Sequence, residues 1–283
     1  MKISPLQLLF GHIARPLRVV LGAIVVVVAI LAAPCLTPTA WAHPEDEFCT
    51  ADSGLDPALC RQLAQMDSAA APTTAITALT DADGNPRSWF DTGLLYIKIG
   101  IQHILPGGAD HILFVLALFL AATGVRSLVL QISTFTLAHT ITLGIAASGL
   151  INPPAAIVEP LIALSIAFVA IETIIFREVP RWRLLVVFGF GLFHGLGFAG
   201  FIREFGLPPA QFWSSLMGFN VGVELGQLTI VILAFLIRIP IIKVLGMRSE
   251  IPASLYRQVV VIPASVIIAL TGLSWSFTRV FGV

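Results

Sequence analysis

From Asp91 onward the chain alternates long apolar runs with short polar or Gly/Pro-containing breaks, the runs covering 94–105, 109–124, 127–149, 155–176, 183–203, 214–238 and 258–278. One helix needs roughly 20 apolar residues to cross a bilayer, with about 17 as the usual lower bound. On that measure the first run is too short and the second marginal. Pro106-Gly107-Gly108 separates them, and a proline inside a helix removes a backbone donor and clashes with the preceding turn. The pattern predicts an all-α, polytopic helical membrane protein: a half-helix or re-entrant segment leads into a first full span, for six membrane helices after a leader. Broken backbone at such depth is tolerated only inside protein or along a wet cavity.

Composition agrees, because 57% hydrophobic residues, 11% charged residues and a mean hydropathy of +0.94 describe an integral membrane protein. Residues 1–42 have the parts of a signal peptide: Lys2, Arg15 and Arg18, an apolar run from Val19 to Ala33, then Ala40-Trp41-Ala42 as a small-x-small cleavage site. An uncleaved first span is the alternative, and both readings put the following segment outside the cytoplasm. Residues 43–91 form an acidic periplasmic tail, and 92–283 the transmembrane helical domain. The tail holds Cys49 and Cys60, expected to pair as a disulfide in an oxidising compartment. Cleavage exposes His43, whose amine and imidazole can serve one metal, while Pro44 blocks further amide ligation. A frayed terminus is the default there.

Net charge is zero but segregated, since nine acids face two bases between residues 43 and 91. That tail concentrates cations near the membrane. No basic patch with interleaved aromatics marks a nucleic-acid partner. Among later connections Arg126, then Arg177, Arg181 and Arg183, then Arg238, Lys243, Arg248 and Arg257 fall on one side, and only Arg203 and Arg279 on the other. The bias of basic residues toward the cytoplasm predicts a multi-pass protein of the bacterial inner membrane, its lipid the surrounding partner and its mature N-terminus periplasmic.

Ionisable side chains at membrane depth are costly and mark functional sites by default. On this topology His103, Asp110 and His111 come near the outer entrance of the first span, and His139 and His194 near the middle of the second and fourth. Glu159 begins the third span, and Asn220, Glu224 and Gln227 share one face of the fifth. Ser133, Thr136 and Thr140 lie on a stripe with His139, while Gly191 and Gly195 flank His194. Small residues and hydroxyls suit a packed interior. Phe135-x-Leu-x-His139 recurs as Phe190-x-Leu-x-His194, either a parallel repeat or chance.

Imidazole nitrogen with carboxylate oxygen suits a divalent transition metal ion, nickel, cobalt, copper or zinc. The metal candidates are therefore His103, Asp110, His111, His139, His194 and Glu224, with Glu159, Asn220, Thr136, Thr140, Gln227 and His43 as accessories. Blander roles compete. Asp110 after a Pro-Gly-Gly break suits a helix N-cap. His139 and His194 suit interhelical hydrogen bonding, and Glu159 suits a helix start. A buried Glu224 needs a cation, a proton or good donors. The function expected is a metal permease; a metal-dependent intramembrane enzyme and an assembly factor without transport are the alternatives. Against the enzyme, H-E-x-x-H and G-x-S-x-G are absent.

The strings HILPGGADHILFVLALFL, FTLAHTITL, VEPLIALSIAFVAIE, FGFGLFHGLGFAGFIREFGLP and FNVGVELGQL, spanning 103–228 in order, resemble the HupE/UreJ family of hydrogenase and urease accessory membrane proteins. The resemblance implies an inner-membrane protein that moves nickel or a related ion for metalloenzyme maturation, with a metalloenzyme or metallochaperone as partner. It makes His103, Asp110, His111, His139 and His194 polar motif residues, and puts Glu159, Asn220 and Glu224 in further blocks. Nickel and cobalt permeases carry a compact H-x4-D-H on one helix; here Pro-Gly-Gly intervenes between His103 and Asp110, so that ligand geometry does not transfer.

One outcome is testable from the tail alone. Alkylation of the unreduced, membrane-inserted protein should label neither Cys49 nor Cys60, and labelling of both would remove the disulfide.

Overall fold

The computed structural model describes residues 87–198, 209–244 and 256–282. The leader, His43, Cys49, Cys60 and the connections 199–208 and 245–255 lie outside the described residues. Helix α1 spans Trp89–Ile104, longer than the half-helix expected at 94–105, because Ser88 is an effective cap. Its hydroxyl accepts the Asp91 N–H at 3.1 Å, and Asp91 adds a negative charge to the first turn. After the Pro-Gly-Gly break come α2 (Ala109–Ala121), α3 (Val125–Ala147), α4 (Ala155–Ile175), α5 (Arg183–Gly197), α6 (Phe212–Val244) and α7 (Ile262–Phe281). A π-helical turn, Arg257–Val261, leads into α7. No strand occurs among the described residues.

The helices α3, α4 and α6, and the stretch Arg257–Phe281, are long and apolar enough to cross a membrane. The pair α1 and α2, whose axes meet at 73°, makes a fifth crossing if counted as one bent span. The sixth expected crossing, 183–203, is represented by α5, whose 15 residues fall short of a bilayer. By length and composition the described helices therefore account for four or five crossings, and the sixth is not established by them. Their outward faces carry Leu130, Leu137, Phe168, Leu185, Leu233 and Leu270, while His139, Gln131 and His194 are buried. Apolar side chains outside and polar ones inside are what a lipid solvent selects.

Three helix pairs build the bundle, and close approach of small residues holds each one. Along α6, Gly218, Gly222 and Gly226 face Gly93, Ile97 with Gly100, and Ile104 of α1 in rising order, so α1 and α6 run parallel. A Cβ on Gly218 or Gly222 would collide with the carbonyl oxygen of Gly93 or Ile97. The Ser214 hydroxyl donates to the Trp89 carbonyl at the start of the pair. Beyond the break the Phe119 and Phe235 rings meet at 4.8 Å, so α2 continues down α6. The bent pair thus follows α6 through the bundle.

In the second pair Gly191 lies on Phe135 and Ala138, and Gly195 on His139 and Thr142, making α3 and α5 parallel as well. The Thr142 hydroxyl donates to the Leu192 carbonyl at 2.8 Å. In the third, α4 and α7 are antiparallel: Gly272 packs on Ala163 and Ala167, and the Ser276 hydroxyl donates to the Pro160 carbonyl at 3.2 Å. The Arg257 guanidinium donates to the carbonyls of Thr173, Ile174 and Phe176, satisfying the C-terminus of α4. These directions agree with the alternation of spans expected from the sequence.

Substituting Gly222 by leucine should overpack the α1/α6 contact at a cost of about 1–3 kcal/mol or more, read as a lower melting temperature in detergent. Gly189, with nothing within 4 Å of an added Cβ, should accept alanine without loss. Equal melting of the two variants would refute the close-approach account.

Candidate metal site

The helix break does the first work of assembly. His103 stands in the last turn of α1 and His111 in the first turn of α2, and the bend sets their rings edge to face with centroids 4.8 Å apart. His111 then meets His139 of α3 at 5.9 Å and His194 of α5 at 5.0 Å. The four imidazoles, from four helices, are only 8, 6, 0 and 1% exposed in chain order. One nitrogen each from His103, His111 and His139 lie within 4.8 Å of one another. Tetrahedral ligands at ~2.0–2.1 Å from a metal stand about 3.3 Å apart, so the three nitrogens would have to close by up to about 1.5 Å to share one ion. The site lies about 12 Å below the α6 N-terminus, judged by the rise to Asn220.

Neighbouring hydrogen bonds decide which nitrogen each ring offers. Asn220 Nδ2 donates to the Leu216 carbonyl at 2.8 Å, which orients Oδ1 toward His139 Nδ1 at 3.1 Å. His139 Nδ1 therefore carries the proton, and Nε2 is left as a buried lone pair without a partner. The Ser165 hydroxyl spends its proton on the Ile162 carbonyl at 2.6 Å and so accepts from His194 Nε2 at 3.0 Å. That leaves His194 Nδ1 bare and buried. Both nitrogens of His103 and Nε2 of His111 are likewise buried without partners. Unpaired donors and acceptors of this kind are expensive, whereas a metal ligand oriented by a second hydrogen bond is the usual arrangement of a coordinating histidine.

Phenylalanines wall the cluster. Phe198 lies 4.1 Å from the His103 ring, Phe135 4.9 Å and Phe114 5.3 Å from His194, and Phe219 stacks on Phe198 at 4.8 Å. They thin the water around the imidazoles and strengthen any charge–dipole interaction there.

The carboxylates expected beside the histidines sit elsewhere. Asp110 is tied through both oxygens to Arg279 Nη2, at 3.2 and 2.9 Å. Glu224 accepts the Ser133 hydroxyl at 2.8 Å, and Gln227 Oε1 accepts the Thr136 hydroxyl at 3.0 Å, together forming a polar ladder between α3 and α6. Thr140 donates to the Thr136 carbonyl at 2.7 Å. At Glu159 the backbone carbonyl, rather than the carboxylate, receives Arg279. Asn220, an accessory candidate, is the hydrogen-bond partner of His139. Ser165 and Arg279, neither a sequence candidate, complete the picture; the first is invisible without the α4/α5 contact, and the second reads as a terminal loop charge. At the opposite end of α4, Glu172 and Arg183 form a deeply buried ion pair.

An inside-out helical bundle with clustered imidazoles at its heart defines a polytopic membrane protein with a candidate internal metal site. Residues 80–279 match the family described as HupE / UreJ protein, and the chain belongs to that family. Comparison with curated proteins and with solved structures gave no match. Membership supports, in coarse terms, an accessory membrane protein that handles divalent metal for hydrogenase or urease.

The tautomer assignment is directly measurable. Nitrogen-15 solid-state spectra of the metal-free protein should show His139 protonated at Nδ1, and Asn220→Leu should release it to a mixture. An unchanged spectrum in that variant would mean Asn220 does not orient the ring.

Proposed function

We propose that this chain is an inner-membrane permease for a divalent transition ion, nickel first and cobalt, copper or zinc as chemically allowed cargoes, supplying metalloenzyme maturation. The observation that carries this reading is the meeting of unpartnered nitrogens of His103, His111 and His139 from three helices, with His194 beside them. Imidazole selects first-row transition ions over magnesium and calcium, which prefer oxygen.

A permease must hold its cargo loosely enough to release it. Among the described residues the imidazole cluster contains no carboxylate, so an ion there keeps its full charge in an apolar surround and gains by moving on. Asp110 waits on one side. On the other, Glu224 lies one helical turn beyond Asn220, about 6 Å further along α6, with Thr136, Ser133 and Gln227 adding oxygen donors and acceptors. The acidic tail at 43–91 faces the periplasm and gathers cations before the first of these stations.

Purified protein in liposomes should accumulate nickel, and His111→Ala, which removes the central ring, should lower the initial rate by roughly 10–100-fold, the scale of losing a metal-site group. Equal uptake by wild type and His111→Ala would overturn the pathway.

A further inference from the structure

We propose that Arg279 is a resident cation held on Asp110 in place of the cargo, and that its displacement by an arriving divalent ion decides which cations reach the imidazoles. The proposal rests on the permease reading above and deepens it.

The guanidinium is gripped from three directions. Nη2 donates to both carboxylate oxygens of Asp110 on α2, Nη1 donates to the Glu159 carbonyl on α4 at 3.1 Å, and the group lies 5.5 Å above the Trp275 ring on its own helix. Asp110 adjoins His111, the ring that touches the other three imidazoles. A carboxylate that is next in the chain to the hub of the cluster is thus neutralised by a permanent positive charge.

Accessibility separates this pair from a structural one. The Arg279 and Asp110 side chains are 24 and 25% exposed, whereas Arg183 and Glu172 at the other end are 2 and 3% exposed. An external cation can reach the first pair and not the second. Exchange at Asp110 replaces one cation by another, so the carboxylate is never left uncompensated, the state that costs most when a buried pair is broken. Arg279 also keeps two anchors when it lets go, because neither the Glu159 carbonyl nor the Trp275 ring depends on Asp110.

Selectivity follows from the strength of the incumbent. A guanidinium whose Nη2 donates to both carboxylate oxygens while the Glu159 carbonyl holds Nη1 outcompetes a monovalent ion, which offers the same charge without the directed hydrogen bonds. Magnesium carries enough charge but gives up its water reluctantly. A transition ion has the charge and can trade water for the nearby imidazole of His111. Arg279 is therefore a specificity-determining residue that never touches the cargo.

The test is nickel binding to the purified full-length protein by calorimetry, with and without excess magnesium. Arg279→Gln should bind nickel about two- to fivefold more tightly without magnesium, the scale of freeing one accessible ion-paired carboxylate, and should lose that gain when magnesium is added. In an Asp110→Asn background the same substitution should change nothing, which a purely structural tether would not predict. Arg279→Lys, which keeps the charge and loses the planar guanidinium with its second nitrogen on the Glu159 carbonyl, should show a smaller gain in the same direction and decides the matter if the glutamine variant fails to fold. Wild-type affinity in a folded Arg279→Gln or Arg279→Lys protein, or an equal effect with and without Asp110, would overturn the proposal while leaving the permease reading intact. Absence of nickel binding by the wild type would instead remove the permease reading, and with it anything for Arg279 to guard.

Discussion

The sharp turn between α1 and α2 is the constraint on which the site depends, because lipid offers no hydrogen bonds to backbone groups that a bend sets free. Here several are met within the protein: Leu105 N–H reaches the Ile101 carbonyl at 2.8 Å, Ala109 N–H the Gly107 carbonyl at 2.9 Å, and Ile112 N–H the Gly108 carbonyl at 2.8 Å. Gly108 permits the return of the chain, since a Cβ there would run into the His103 carbonyl. The glycine face of α6 supports the arm before the break, with Gly226 seated on Ile104. Proline and two glycines thus convert residues that are distant along a straight helix into touching imidazoles.

Charge is distributed around the cluster in a way that follows from its apolar wall. Within the described residues the nearest ion pairs are displaced toward the two ends, Asp110 with Arg279 at one and Glu172 with Arg183 at the other. Against the rings themselves the polar partners are uncharged: Asn220 and Ser165 each commit one nitrogen of a neighbouring ring. The remaining lone pairs are the feature for which hydrogen bonding within the protein offers no account.

Much of this was legible in the residue pattern. The apolar runs located the long helices, and the cost of histidine in lipid singled out four rings that do converge. The two copies of Phe-x-Leu-x-His lie on helices that pack side by side and in the same direction. Other features needed three dimensions. Asp110 neighbours His111 in sequence, but helical geometry points adjacent residues apart, and its pairing with Arg279, far away in the chain, could not be read from the residue order. Glu224 shares a face with Asn220, yet one turn of helix moves it from the rings to Ser133. The early start of α1 is encoded in Ser88-Trp-Phe-Asp91, a serine three residues ahead of an acid, a polar signal that lies outside the apolar run.

The helix pairs are internally tight, and the ligands are divided among them. His103 belongs to the α1/α6 block, His139 and His194 to the α3/α5 block, and His111 to the first turn of the linking arm. The glycine contacts hold each block together from within, while the Asn220–His139, Ser133–Glu224 and Thr136–Gln227 hydrogen bonds hold one block to the other. The coordination sphere is in that sense a joint between two blocks, its spacing set by the polar cross-links that span it.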